Sequence, residues 1–309
     1  MVRRGRGPWP VTNGESDVSS WLQRRLQGVE EAERMSMTRW MLDAVSGVPR
    51  GARMASNHRW SESALDRLAV WAERVSEGEP LQYVLGEVEF GGLSLRVTPD
   101  VLIPRPETEE LVVAMAQIIA AAPRASVRPL VVDWCTGSGC IALALKKRFP
   151  WVEVQGVDVS EAALGVAQSN AERCGLDVTF RCDDLRSPSW KGAGASWVVA
   201  NPPYIPESEA AAMAPRVVDH EPGLALFVPD DEPLGMVESL WAWCEEGGLV
   251  REGFLGMECH TDRVADVATL WEARDGWKHV EILVDLQGKP RHVIGQWCVP
   301  SNHGSQGPH

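Results

Sequence analysis

Apolar residues recur at helical intervals through the first quarter of the chain: Leu65, Leu68, Ala72 and Val75 share one face, and Ser61 stands where a helix N-cap belongs. The pattern runs from Asp17 to about Gly78 and predicts a small helical domain over residues 1–78. Trp21, Trp40, Trp60 and Trp71 fall inside it. Aromatic residues at helical spacing are core more often than recognition surface, and core is the expectation for all four. Between Glu79 and Pro104 the signal changes to short β-like runs, Leu81–Leu85, Val88–Phe90 and Leu93–Val97, broken by Gly86 and by Gly91 with Gly92. A β-hairpin linker over 79–104 is expected. Pro106 then sits where a first helical turn begins, and Leu111, Val112, Met115 and Ile118 supply a buried stripe running to Pro123.

From Arg128 onward strands and helices alternate, the mark of a parallel sheet covered on both faces. The expected strands are Leu130–Asp133, Val152–Asp158, Val178–Cys182, Trp197–Ala200 and Gly253–Glu258. The expected helices are Ile141–Lys147, Ser160–Cys174 and Pro233–Cys244. After Trp271, two extended runs, Val280–Leu286 and His292–Trp297, are separated by Gly288, Lys289 and Pro290. They predict a closing hairpin and an antiparallel strand at the sheet's edge. The α/β domain is expected over 105–300 and a disordered tail over 301–309.

Composition narrows the function classes. A chain of 309 residues allows one large domain with a sizeable core and a smaller one beside it. Its net charge of −13 repels a phosphate backbone, which disfavours a dedicated duplex-DNA binder. Arg3, Arg4 and Arg6 read as a frayed tail. No apolar run approaches the roughly 18–20 residues of a membrane span, and no signal-peptide core follows the basic start. The seven cysteines are scattered, odd in number and form no Cys-x-x-Cys pair, which suits reduced thiols in a cytoplasmic protein and offers no zinc site.

The first chemical motif follows the strand at Leu130–Asp133. Cys135, Thr136, Gly137, Ser138 and Gly139 make a tight turn, and Ile141, Ala142, Leu143 and Ala144 begin a helix. Glycines tolerate the turn's dihedrals and clear side chains from a ligand's path, while the helix start offers free N–H groups. Asp158 ends the next strand about 20 residues on, where its carboxylate can accept both hydroxyls of an adenosine ribose. This geometry suits NAD and S-adenosyl-L-methionine equally. Asp183 and Asp184 end the third strand, and one of them is placed to accept from an adenine amino group, the other holding a turn.

The fourth strand separates the two cofactors. It runs directly into Asn201, Pro202, Pro203 and Tyr204, at the carboxyl end of the sheet where ligands of such folds bind. Two consecutive prolines fix the backbone and remove two N–H donors, leaving carbonyls to accept. The Asn201 side-chain oxygen and the Pro202 carbonyl can each take one hydrogen of an NH₂ group, with Tyr204 packed flat on a planar amide or base. Such a loop chiefly holds a nitrogen in line with an activated methyl.

With these motifs the chain resembles the HemK-type (PrmC-like) N5-glutamine methyltransferases, which modify the Gly-Gly-Gln loop of peptide-chain release factors. The resemblance runs from about residue 20 to 298. It is carried by residues 78–86, by Leu102–Glu109, by the glycine loop, by Asn201–Tyr204, and by Glu221-Pro222 with Ala225-Leu226. It implies an α/β, Rossmann-like class I S-adenosylmethionine-dependent methyltransferase fold: a mostly parallel seven-stranded sheet with an antiparallel closing strand, a small helical N-terminal domain and a joining β-hairpin. It further implies that the helical domain docks the release factor and that Cys135–Gly139, Asp158, Asp183, Asp184 and Asn201 hold the cofactor. Asn201, Pro202, Pro203 and Tyr204 would hold the glutamine, with Asn201 and Pro202 catalytic and Pro104–Glu109 lying over the site. A cytoplasmic monomer without metal or direct nucleic-acid contact is expected.

Two departures from the family pattern stand out. Cys135 replaces the first loop glycine, so the turn is expected to avoid φ > 0 there or to differ slightly. Arg251 and Glu252 precede Gly253 where a Pro-Gly-Gly turn is common, and are assigned to a surface loop. A paralogous group that methylates a ribosomal-protein glutamine often carries a cysteine at the position of Cys135, whereas Ile103–Glu109 favours the release-factor group. Three other readings stay open: an adenine-N6 methyltransferase, disfavoured by the acidic balance; an NAD dehydrogenase, which leaves Asn201–Tyr204 without work; and a non-catalytic release-factor-binding protein.

Overall fold

The computed structural model describes residues 7–122 and 129–298. The arginines of the expected N-terminal tail and the tail expected over 301–309 lie outside them. The chain divides into two compact units, Met1–Glu87 with Ala214–His220, and Val88–Met213 with Glu221–His309.

The first unit is helical: α1 (Glu15–Arg25), α2 (Glu31–Ser46), α3 (Arg50–Ala55), α4 (Glu62–Ser76) and α5 (Leu81–Leu85). The Ser61 hydroxyl caps α4 by accepting from the Ala64 amide at 3.2 Å. Leu65, Leu68, Ala72 and Val75 pack against Val18, Leu22, Met41 and Leu42. A fully buried guanidinium, Arg53, lies beside two carboxylates, donating from Nε to Glu15 at 3.0 Å and pairing with Asp43. Trp21 and Trp60 are core and Trp71 packs at its edge. Trp40, however, is 51% exposed. It lies roughly 100–160° around α2 from Thr38, Met41 and Leu42, which that helix buries.

Leu81–Leu85 is a helical turn and not the strand its short apolar run suggested. Leu81 and Val84, three apart, both enter the helical core, and Gly86 ends the turn in the left-handed region at φ 80°. A run this short carries no period that separates strand from helix.

The second unit opens with a hairpin, β1 (Glu87–Phe90) and β2 (Leu93–Arg96), then α6 (Pro106–Ala121), β3 (Leu130–Trp134), α7 (Cys140–Arg148), β4 (Glu153–Asp158), α8 (Glu161–Cys174), β5 (Thr179–Cys182) and β6 (Ala195–Ala200). A two-residue strand, β7 (Ile205–Pro206), precedes α9 (Pro215–Val218), which groups with the helical unit, where Arg216 grips Glu33 at 2.7 and 3.0 Å. The chain continues through β8 (Phe227–Val228), paired with β7, to α10 (Gly235–Trp243), β9 (Leu249–Glu258), α11 (Val264–Glu272), β10 (Trp277–Val284) and β11 (Pro290–Trp297).

Seven strands form one sheet in the order β10-β11-β9-β6-β3-β4-β5, with only β11 antiparallel to its neighbours. The fold class expected from the sequence is therefore the one found. The antiparallel strand is not at the edge, though. β11 inserts between β9 and β10 because its residues His292–Gly295 are all buried, whereas most of β10 is exposed and suits an edge. Arg251 and Glu252 lie inside β9 and not in a loop. They form an exposed bulge, where the pairing jumps from Ala195 with Leu249 to Trp197 with Phe254 and Glu252 takes φ 62°.

One face of the sheet packs on Trp241, Trp243 and Trp271 from α10 and α11, the other on Leu111, Met115, Leu143 and Leu145 from α6 and α7. Helices on both faces leave the carboxyl ends of the parallel strands as the open place for a ligand.

Candidate active site

The strands deliver polar groups to that end one after another: the turn Cys135–Gly139 after β3, Asp158 at the end of β4, Asp183 just past β5, Asn201 just past β6, and Glu258 at the end of β9. A cavity of about 310 Å³ opens there, a size suited to a small-molecule cofactor. Cys135, Thr136, Gly137, Ser138, Asp158, Asp183, Asp184, Asn201 and Pro203 line it. Gly139, Pro202 and Tyr204 are not among its lining residues. Asp100, Leu102, Pro104, Arg105 and Thr108 form one wall, with Pro222, Leu224 and Ala225 also lining it.

The turn after β3 is held from three sides. Asp133, wholly buried, accepts from the Thr136 hydroxyl at 2.6 Å and the Ala142 amide at 3.1 Å through one oxygen. Its other oxygen is buried without a hydrogen-bond partner among the described residues. Burial pushes Asp133 up to about 7, against those two donors. Asn170 on α8, fully buried, donates to the Ser138 carbonyl at 2.9 Å and ties the turn to Arg96 through both ends of its amide. At Gly139 (φ 80°) an added Cβ would stand 3.2 Å from that of Ala167 and 3.3 Å from Leu143, so glycine permits both the dihedral and the packing of α7 on α8.

Cys135 does adopt a left-handed conformation, φ 58°, contrary to the expectation that a non-glycine residue would avoid it. The turn imposes the dihedral, at a cost of about 1–2 kcal/mol for a residue with a Cβ. Burial, then Asp158, Asp133 and Asp184, push its thiol well above the ordinary range, so it is no nucleophile.

Asp158 accepts from the Gly137 amide at 2.9 Å and the Ser160 amide at 3.0 Å, one on each oxygen. Each oxygen retains a lone pair for a diol. Burial raises it above the usual carboxylate value despite these donors. Asp183 is committed locally: it accepts from the amides of Ser189, Trp190 and Asp184 and from the Ser189 hydroxyl. Burial pushes it up, but those donors outweigh it and leave it below its ordinary value. Asp184 accepts from the Arg186 amide and guanidinium.

The cavity's charge selects between cofactors. Asp100, Asp158, Asp183, Asp184 and Glu232 face only Arg105 and Arg186, which are themselves paired with Glu221 at 2.6 Å and Asp184 at 3.3 Å. Such a lining attracts a cationic sulfonium and repels a pyrophosphate. The residues present fit S-adenosylmethionine and not NAD.

At the far side, Asn201 donates from Nδ2 to the Thr108 hydroxyl oxygen at 3.1 Å, and Thr108 donates to Glu258 Oε2 at 2.7 Å. The Tyr204 hydroxyl donates to Glu258 Oε1 at 3.0 Å, and its ring meets His260 edge-on at 6.2 Å. Burial, then Glu258, raise the tyrosine far above its ordinary value, so it is no base. The Pro202 carbonyl accepts no hydrogen bond among the described residues. Glu221 anchors the Leu102–Glu109 segment, accepting from the Ile103 amide at 3.1 Å and from Arg105.

Sequence reasoning placed Thr108 within the Pro104–Glu109 segment over the site and Glu221 within a family motif but gave neither a role, and it missed Asp133, Asn170 and Glu258 as parts of this site. Glu258 was within reach of the rule that flagged Asp158 and Asn201, since it also closes a strand of the parallel set. Asp133 and Asn170 carry no local signal, being polar residues in a strand and on a helix.

Comparison with known proteins gives the same picture for both units. Residues 17–86 match the PrmC N-terminal domain family and residues 115–221 the Methyltransferase small domain family. The chain is 38% identical to a release factor glutamine methyltransferase of Koribacter versatilis, over 76% of this chain and 82% of that protein. It is 39% identical to the one of Bacteroides thetaiotaomicron, over 71% and 76%. Against that of Geobacter sulfurreducens it is 40% identical, over 68% and 72%.

Proposed function

The chain belongs to the release factor glutamine methyltransferase family, and from that premise we propose that it moves the methyl group of S-adenosyl-L-methionine to the side-chain amide nitrogen of the glutamine in a release factor's Gly-Gly-Gln loop. The observation that carries this reading is that Asn201 lines the same acidic cavity as the glycine turn and Asp158. An NH₂ acceptor and a nucleoside-binding carboxylate thus face one space.

When bound, the cofactor supplies a methyl already activated on sulfur. Asp158 would take the ribose hydroxyls, and the turn at Cys135–Ser138 would receive the rest of the cofactor against its backbone. Of the pair after β5, Asp184 is the better candidate for a cofactor contact, because four donors already occupy Asp183. The Asn201 side-chain oxygen and the Pro202 carbonyl each accept one N–H of the glutamine amide, aiming its lone pair at the methyl. Pro203 and Tyr204 shape the amide's slot. Two accepted hydrogens also favour pyramidal nitrogen, the geometry of the transition state. Arg105 and the 100–108 segment wall one side of the site.

In this reading the helical unit docks the release factor, and the exposed Trp40 is a natural anchor for such a contact. The enzyme acts as a monomer in the cytoplasm without binding nucleic acid directly; no helix among the described residues is long and apolar enough to cross a membrane. Mass spectrometry of release factor incubated with enzyme and cofactor tests the reading. A single methyl gained on the Gly-Gly-Gln glutamine is expected; a methyl found only on a ribosomal protein or on nucleic acid would refute it.

A further inference from the structure

Glu258 is 2% exposed, and a carboxylate there can only accept. Its two oxygens receive two hydroxyls, Thr108 on Oε2 and Tyr204 on Oε1. A hydroxyl has one hydrogen, so the Thr108 hydrogen is spent on Glu258 and its oxygen faces Asn201 as an acceptor alone. Asn201 must therefore turn its NH₂ toward Thr108, as the 3.1 Å contact shows. Its carbonyl oxygen is then left for the cavity that Asn201 lines. Were the amide reversed, the Asn201 oxygen would meet the Thr108 oxygen lone pair to lone pair, and the cavity would face an NH₂ that no NH₂ substrate can donate to.

We infer that Thr108 and Glu258 are positioning residues which fix the polarity of the Asn201 amide, and so make the site accept hydrogens from a substrate NH₂ group and reject a carbonyl in its place. The proposal rests on the methyl-transfer reading above. Glu258 sets the hydrogen direction, Thr108 passes it on, and Asn201 presents the result. Thr108 and Glu258 act through Asn201, which with the Pro202 carbonyl meets the reacting amide in that reading. The same carboxylate locks the Tyr204 hydroxyl, so one buried group sets the orientation of both ends of the Asn201–Tyr204 loop.

Thr108→Val keeps the shape and removes the acceptor, Thr108→Ser keeps the hydroxyl, and Glu258→Gln replaces one accepting oxygen by a donor. With full-length enzyme and release factor, Thr108→Val and Glu258→Gln are expected to lower kcat by about 10–100-fold, as a lost orienting contact does. Affinity for S-adenosylhomocysteine, measured by calorimetry on each variant, is expected to stay within about threefold, which also reports that the variant is folded. Thr108→Ser should restore most of the turnover. In a double-mutant cycle, Thr108→Val should cost little more once Asn201→Ala is present, because its effect passes through that amide. Equal losses in both backgrounds, or wild-type kcat in Thr108→Val, would overturn the relay while leaving the methyl transfer intact. A wild-type enzyme that fails to methylate glutamine would instead overturn the reading beneath it.

Discussion

Two loops meet at the carboxyl end of the sheet and are built in different ways. The turn after β3 owes its form mostly to its own backbone and near neighbours: φ 58°, 53° and 80° at Cys135, Gly137 and Gly139, stapled by Asp133, with Asp158 and Asn170 reaching it from the next strand and helix. The loop after β6 has a backbone stiffened by two prolines, but its Asn201 side-chain amide donates to Thr108, 93 residues away, which in turn donates to Glu258. Local chemistry shapes the first, long-range packing the second. Changes in the first should therefore act on cofactor binding and stability, and changes in the second on turnover.

The largest test of that division is Asn201→Ala, expected to cut turnover by 10²-fold or more while cofactor affinity moves only a few-fold. Near-normal turnover in steady-state kinetics would break the comparison on the acceptor side. Next comes Asp158→Ala, which removes both the proposed ribose acceptor and the staple on the Gly137 amide. Calorimetry should show S-adenosylhomocysteine affinity falling on the order of 10–100-fold; unchanged affinity would move the ribose site elsewhere.

Asp133 sharpens the first loop further. Its folded-state value near 7 lies above the ~3.9 of an unfolded aspartate, so between those limits the folded chain holds a proton that the unfolded chain releases. Stability should thus fall as pH rises through that window. Asp133→Asn should flatten the dependence in urea melts taken from pH 4 to 7, and an unaltered slope would show the carboxylate to be ordinary. The smallest effect is at Cys135. Both alanine and glycine there lose the thiol's packing, but glycine also relieves about 1–2 kcal/mol of left-handed strain against about 0.5–1 kcal/mol in unfolded-chain entropy. Cys135→Ala should therefore melt below the wild type, and Cys135→Gly above Cys135→Ala.

The alternation of apolar runs from Leu130 to Trp297 was enough to anticipate the parallel sheet, because each strand's burial is written in its own residues. Where neighbours decide, the reading slipped. Leu81–Leu85 was too short to show a period, Trp40 sits off the stripe that α2 buries, and β11 took the interior place that the expectation gave to an edge. Arg251 and Glu252 looked like loop residues because a strand bulge has the same exposed, polar composition as a turn.

By itself the sequence determined the fold class, the glycine turn, and the placing of Asp158 and Asn201 at the carboxyl end of the sheet, since each depends on residues close together along the chain. Only the tertiary structure decided which way the Asn201 amide points, that Asp183 is already occupied, and that Glu221 and Glu258 brace the cavity. Those are hydrogen-bond assignments between residues up to 150 positions apart, and a donor's partner is fixed by where the fold puts it.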